Sequence, residues 1–187
     1  FLRYSRIFLR SSENDSVLDI PVAVITDLDI REPDNVLTET ESRELEAERD
    51  ERRKTKAAYY ATDLGCVKAF VSPAWTLEFE LGRSSIGPLA YRALLEAKAI
   101  HNSKHEVITE KKMAEIEEDV ANACRDLDGK ALGMYICKEL DAKHASKAVM
   151  AQRLSSLLLG YDRTEARKLL IDSDEISYLI KAIEYVT

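Results

Sequence analysis

The sequence has few cysteines, fewer basic than acidic residues, and no long apolar run. Lys and Arg number 27 against 34 Asp and Glu. The net charge of −7 therefore provides no overall basic surface to attract nucleic acid, which argues against a sequence-reading DNA module but not against an active site of clustered carboxylates. No apolar stretch reaches the roughly 18 residues that a membrane-spanning helix needs, so we expect no membrane partner.

The three cysteines are Cys66, Cys124 and Cys137, an odd number of widely spaced residues in mostly apolar segments. They form no CxxC pair, and no histidine lies at metal-ligand spacing. We therefore predict that they are small core residues in a reducing compartment, the cytoplasm. Hydrophobic residues make up 45% of the chain and charged residues 33%, the balance of an ordinary globular protein.

Two short apolar segments predict the strands of an α/β core. Residues 20–26, IPVAVIT, are bounded by polar residues and predict a strand buried on both faces, as in a parallel sheet covered by helices. Residues 66–72, CVKAFVS, are the second strand candidate. Between them, residues 38–63 are dense in Glu, Arg and Lys with many opposite charges four residues apart, which predicts a poorly buried helix.

The chain after Pro88 predicts helices almost throughout. Apolar residues recur at three- and four-residue spacing in the segments 88–101, 104–126, 129–143, 146–159, 163–171 and 175–186. Asp162 and Glu165 form a capping-box pattern at the start of one of these helices. The sequence therefore predicts an α/β core over residues 1–86 and a helical domain over residues 87–187.

Asp27 and Asp29 come directly after the first predicted strand. Ligands of parallel α/β sheets bind at the carboxyl ends of strands, and one intervening residue in extended backbone places both side chains on the same side. Two neighbouring carboxylates repel unless a proton or cation compensates them, and hard oxygen ligands favour Mg²⁺ or Mn²⁺. Alternatively Asp27 caps the next element and Asp29 is solvated, but the apolar strand before them favours a metal site.

A strand that ends in DxD occurs in two metal-dependent phosphoryl-transfer folds. In haloacid-dehalogenase-type phosphatases the pattern is DxDGT and its first aspartate is the nucleophile, a role that would fall to Asp27. Here Ile30 and Arg31 replace Gly and Thr, and the chain has no Gly-Asp dipeptide, so the later GDxxxD metal motif has no obvious counterpart. The other fold is the Toprim domain, with a glutamate on an earlier strand and the DxD on a later one.

Four segments of the chain resemble the C-terminal half of nucleases of the OLD (overcoming lysogenisation defect) family. The segments are LDIPVAVITDLDIRE, VKAFVSPAWTLEFEL, SKAVMAQRLSSLL and ISYLIKAIEYVT. Proteins of this family join an ABC-type ATPase domain to a Toprim nuclease domain with a helical extension. The resemblance implies an α/β fold with a Toprim-like parallel-sheet core, then a mainly helical domain, and metal-dependent endonuclease cleavage of DNA.

The resemblance also implies a set of metal ligands. Asp27 and Asp29 match the family's DxD carboxylates, and Glu78 of TLEFEL matches its later acidic ligand. These residues would hold two Mg²⁺ or Mn²⁺ ions that bind the attacking and leaving oxygens of an in-line displacement. Asp27 is also a predicted catalytic residue. Glu80 of the same segment is expected to face solvent or to pair with a basic residue.

A catalytic lysine near the start of a helix is a further feature that the resemblance implies. It would stabilise the negative charge on the scissile phosphate. Lys147 of SKAVMAQ is the better match, and Lys130 of GKALGMY is its rival. The resemblance implies no organic cofactor. Taken without the resemblance, the position of Lys147 is also that of an ordinary surface lysine in the first turn of a helix.

The Toprim pattern requires a glutamate on a strand well before the DxD. Only 26 residues precede Asp27, and Glu13, the one glutamate among them, lies in a polar turn. We therefore expect a Toprim core without its first strand, in a fragment that binds metal weakly and cleaves poorly by itself. The implied partners are DNA, an ABC-type ATPase domain on the same polypeptide and a second copy of the chain. A non-catalytic helical dimerisation module on a degenerate core is the remaining alternative.

Overall fold

The computed structural model of the chain describes residues 20–60, 67–103 and 107–187. These residues form two compact units. The first unit holds the described residues up to Thr76 together with Ser177–Thr187, and the second holds Leu77–Ile176. Glu13 and Cys66, on which sequence predictions were made, lie outside the described residues.

Two strands of the first unit form a parallel sheet. Strand β1 spans Val22–Thr26, strand β2 spans Val67–Val71, and Val22 pairs with Val67. Both strands lie within the predicted segments, so a mixed α/β fold with a parallel strand pair is confirmed. The prediction that β1 is buried on both faces is wrong, since Ile25 is 40% exposed in a sheet that has only these two strands within the described residues.

Helix α1 (Glu39–Tyr60) connects the strands and packs against β2. It begins with a capping box, in which the Thr38 backbone N–H donates to Glu41 Oε2 at 2.8 Å and the Glu41 N–H donates to the Thr38 hydroxyl at 3.3 Å. Arg49 is the buried residue of this helix. The charge-rich sequence of this segment predicted such a poorly buried helix, and the structure confirms it.

In the described residues the second unit is built from helices. They are α2 (Leu77–Arg83), α3 (Gly87–Asn102), α4 (Glu110–Asp126), α5 (Gly129–Asp141), α6 (Lys147–Leu158) and α7 (Arg163–Ile171), followed by a 3₁₀ turn at Asp174–Ile176. Helix α2 packs mainly against α5, and α3 packs against α6 and α4. The Asp162 side chain accepts the N–H groups of Thr164 and Glu165 at the start of α7, which confirms the predicted cap.

Helix α8 (Ser177–Val186) belongs to the first unit and packs against both strands. The rings of Tyr185 and Phe70 lie 5.8 Å apart between centroids, and Tyr178 and Ala182 are buried. The observed division after Thr76 therefore differs from the predicted one between residues 86 and 87. Helical spacing predicted α8 but not the sheet against which it packs. No helix in the described part of the chain is long and apolar enough to cross a membrane.

A buried carboxylate ties α3 to α6 in the second unit. Glu96 is fully buried, and its two oxygens accept from Arg153 Nε at 2.6 Å and from Arg92 Nε at 3.0 Å. A buried charge is tolerated only when it is paired and hydrogen-bonded. Arg92 and Arg153 provide this pairing for the buried carboxylate of Glu96.

The two cysteines within the described residues differ in exposure. Cys137 is buried, as predicted, whereas Cys124 is exposed and its predicted place in the core is wrong. The reason is that α4 buries only Ile116 and Ala123, so most of its surface, including Cys124, faces outward.

Candidate functional site

The loop after β1 carries Asp27, which is half-buried, and Asp29, which is exposed, and it is anchored in the core by the residues that follow each of them. Leu28 and Ile30 are buried, whereas the Asp29 side chain is 64% exposed. Leu28 and Ile30 pack with Val71 and with a leucine of α1. With these two residues anchored, the Asp29 side chain lies at the surface beyond the carboxyl end of β1. The backbone is not extended at Asp29, so the prediction that extended backbone places both carboxylates on one side is wrong.

Hydrogen bonds join this loop to the loop after β2. The Leu28 N–H lies 2.8 Å from the Ser72 hydroxyl and 2.9 Å from the Trp75 carbonyl oxygen, which the Asp29 N–H also approaches at 3.3 Å. The Ser72 hydroxyl donates to the same carbonyl at 2.9 Å. These bonds fix the backbone beside Asp27. Asp29 has a φ of 62°, in the left-handed region that Asp adopts more readily than most other residues.

Two arginines hold α1 against these loops. Arg49 forms a buried ion pair with Glu32 and donates to Glu46 at 2.7 Å, and Arg53 Nη2 donates to the Pro73 carbonyl at 3.2 Å. Burial opposes the charge of Arg49, but its hydrogen bonds to Glu46 and Glu32 outweigh this and raise the pKa of the guanidinium. The second half of α1 is thereby held at the carboxyl ends of the strands.

Lys56 of α1 reaches the predicted metal ligands. Its Nζ donates to the Asp27 carbonyl oxygen and forms an ion pair with Asp29 Oδ2. Only 19% of the Lys56 side chain is exposed. The sequence analysis missed this contact because the residue lies in a charged helix typical of a solvated surface. One signal of this contact was available in the sequence. Arg49, Arg53 and Lys56 are spaced so that they lie on one face of the helix.

The oxygens around Lys56 suit a hard cation. Carboxylate and carbonyl oxygens are the ligands of Mg²⁺, which proteins commonly hold with one or two carboxylates plus waters and substrate phosphates. The Lys56 ammonium already lies against two such oxygens, one from Asp27 and one from Asp29. Over the described ranges, no three His, Cys, Asp or Glu side chains form a group that could hold a metal ion. A cation held by Asp27 and Asp29 would complete its ligands with water or substrate.

Glu78 and Lys147 form an ion pair in the second unit. Lys147 Nζ and Glu78 Oε1 lie 2.7 Å apart, which links the first turn of α2 to the first turn of α6. The side chain of Glu78 is 17% exposed and that of Lys147 60% exposed. The residue matched to an acidic ligand and the residue matched to the catalytic lysine are thus in contact, and the choice between Lys147 and Lys130 stays a prediction.

Glu80, two residues after Glu78, is fully buried. Its Oε2 lies 3.7 Å from Arg83 Nε, so it pairs with a basic residue and does not face solvent. Two residues along a helix correspond to more than half a turn, and this rotation directs Glu78 and Glu80 to different sides of α2. Glu78 is therefore the accessible carboxylate of TLEFEL.

The predicted site residues are divided between the two compact units. Asp27 and Asp29 lie in the first, and Glu78 and Lys147 lie in the second. Comparisons of the chain with family models, curated proteins and solved structures found no match.

Proposed function

We propose that this chain is the nuclease part of an ATPase-linked endonuclease of the OLD family, with a Toprim-like parallel-sheet core. The proposed reaction is hydrolysis of DNA phosphodiesters with Mg²⁺ or Mn²⁺. The observation that carries the proposal is the position of Asp27 and Asp29 at the carboxyl end of β1, where a basic side chain already lies against their oxygens. The proposed partners are DNA, an ABC-type ATPase domain on the same polypeptide and a second copy of the chain, in the cytoplasm.

The uneven charge of α1 supports a phosphate-bearing substrate. Five of the eight residues 49–56 are basic, whereas one of the ten residues 39–48 is basic and five are acidic. Arg52 and Lys54 in the basic half are exposed. Clustered Lys and Arg side chains bind phosphate backbones irrespective of sequence. A chain with net charge −7 thus has a locally basic segment in the helix that carries Lys56.

The proposed mechanism assigns a separate task to each residue. Asp27 and Asp29 would hold the cation through their oxygens, and the hydrogen bonds of Ser72 to their loop fix the backbone of these residues. When bound, divalent ions would supply charge stabilisation to the attacking and leaving oxygens. Lys147, which pairs with Glu78 in the second unit, is proposed as the catalytic lysine that the resemblance implies.

Nicking of supercoiled plasmid tests this function. The protein to assay is the longer polypeptide in which the proposal places this chain, with and without Mg²⁺ or Mn²⁺. Nicking that requires the divalent cation is the expected result. Wild-type protein that leaves the plasmid intact under all of these conditions would refute the proposal.

Lys147→Ala is expected to lower the nicking rate about a hundredfold, the usual cost of removing one group that stabilises charge in a transition state. Lys130→Ala is the matched control, because Lys130 is also an exposed lysine in the first turn of a helix. We expect the Lys130 variant to keep the wild-type rate. An equal loss in both variants, or a loss in Lys130→Ala alone, would overturn the assignment of Lys147.

A further inference from the structure

Lys56 is the basic residue in contact with both aspartates of the proposed metal site. Its Nζ contacts a backbone oxygen of Asp27 and a carboxylate oxygen of Asp29. Since 19% of its side chain is exposed and 64% of the Asp29 side chain is, the ion pair lies at the surface of the first unit with one side open to solvent. A lysine side chain carries its charge on a flexible four-carbon stem, so the ammonium can move away from these oxygens without movement of the backbone.

A divalent cation held by Asp29 would compete with the Lys56 ammonium for the same carboxylate. Both are positive, so their simultaneous presence beside Asp29 is opposed by repulsion, which is strong at separations of a few ångströms. We propose that Lys56 is the counter-ion of Asp29 and that a divalent cation must displace its ammonium in order to bind this carboxylate. This inference rests on the proposed metal site at Asp27 and Asp29.

The surroundings of Lys56 explain why the displacement is local. Arg49 and Arg53 fix α1 through Glu32 and the Pro73 carbonyl, and the Leu28 N–H fixes the aspartate loop. The helix and the loop therefore stay in place while only the lysine side chain moves.

Titration of the 187-residue chain with Mn²⁺ by isothermal calorimetry tests the inference. Lys56→Met removes the competing charge and is expected to tighten Mn²⁺ binding about fivefold or more. Lys54→Met is the matched control, because it removes the same charge from an exposed lysine of the same helix and should leave the affinity near that of the wild type. Affinity in Lys56→Met that equals or falls below that of Lys54→Met would overturn the inference.

Two more variants complete the test. Lys56→Arg keeps the charge and should retain the wild-type affinity, while adding Asp29→Asn to Lys56→Met should remove most of the Mn²⁺ binding. Loss of Mn²⁺ binding in Lys56→Met itself, with the helical circular dichroism unchanged, would also overturn the inference. Because the readout is metal affinity, tighter binding in Lys56→Met together with a failed plasmid assay would leave Lys56 as a counter-ion and refute only the nuclease function.

Discussion

Asp27→Asn is expected to lower the rate of Mg²⁺- or Mn²⁺-dependent plasmid nicking at least about a hundredfold. Asparagine keeps the shape of the side chain but removes the negative charge that a hard divalent cation requires of its ligands. The loop around Asp27 is fixed by the bonds of Leu28 and Ser72, so the fold should be retained. Initial nicking rates, with urea unfolding of the same preparations, measure both properties.

Asp34→Asn is the matched control for this prediction. Asp34 lies in the same connection between β1 and α1 and pairs at 3.5 Å with Arg31, and both side chains are more than two-thirds exposed, at 75% and 71%. The substitution makes the same charge change away from the proposed metal ligands, and we expect the nicking rate to stay within about twofold of wild type. Equal rates for Asp27→Asn and Asp34→Asn would show that Asp27 is not a ligand.

Gly82→Ala is expected to lower the free energy of unfolding by about 3 kcal/mol, at the upper end of what overpacking costs. A Cβ at Gly82 of α2 would lie 2.5 Å from the Cα and 2.8 Å from the N of Gly133 in α5. A Cβ at Gly133 would in turn lie 2.7 Å from the Phe79 carbonyl oxygen. These are backbone atoms, which have no rotamer to adopt, so the two helices approach this closely only because both residues lack side chains.

Gly160→Ala is the control for Gly82→Ala. A Cβ at Gly160 would meet only the Leu157 carbonyl oxygen, at 3.1 Å, and we expect a change of about 1 kcal/mol or less. Urea unfolding followed by far-ultraviolet circular dichroism reports on the helices, most of which lie in the second unit. If Gly82→Ala unfolds at the same urea concentration as wild type, close packing of α2 on α5 is not what stabilises this unit. Because α2 carries Glu78, a destabilised Gly82→Ala protein should also nick more slowly.

The sequence predicted the local elements because each has a pattern that depends on its own residues. The apolar run before Asp27 predicts β1, the alternating segment after Cys66 predicts β2, and three- and four-residue spacing predicts the helices after Pro88. The position of Asp27 and Asp29 after a strand was predictable for the same reason. Their proposed role depends on the resemblance to OLD-family nucleases.

Contacts between distant segments were beyond these patterns. Lys56 lies 27 residues from Asp29, in a helix whose composition is that of a solvated surface. Glu80 is a carboxylate in a short helix, and burial of such a group depends on a partner such as Arg83. Periodicity likewise identifies the apolar face of α8 but not the sheet that covers it. Pairing of charges across the fold therefore had to be read from the structure.

Iron-mediated backbone cleavage tests most directly whether a divalent cation binds at Asp27 and Asp29. Fe²⁺ bound in place of Mg²⁺ or Mn²⁺ produces hydroxyl radicals with ascorbate and peroxide, which cut the nearest backbone, and mass spectrometry locates the cuts. We expect cuts at residues 27–30 that excess Mn²⁺ suppresses and that disappear when Asp27→Asn and Asp29→Asn are combined. Cuts confined to other parts of the chain, or unchanged in the combined variant, would contradict a metal site at the end of β1.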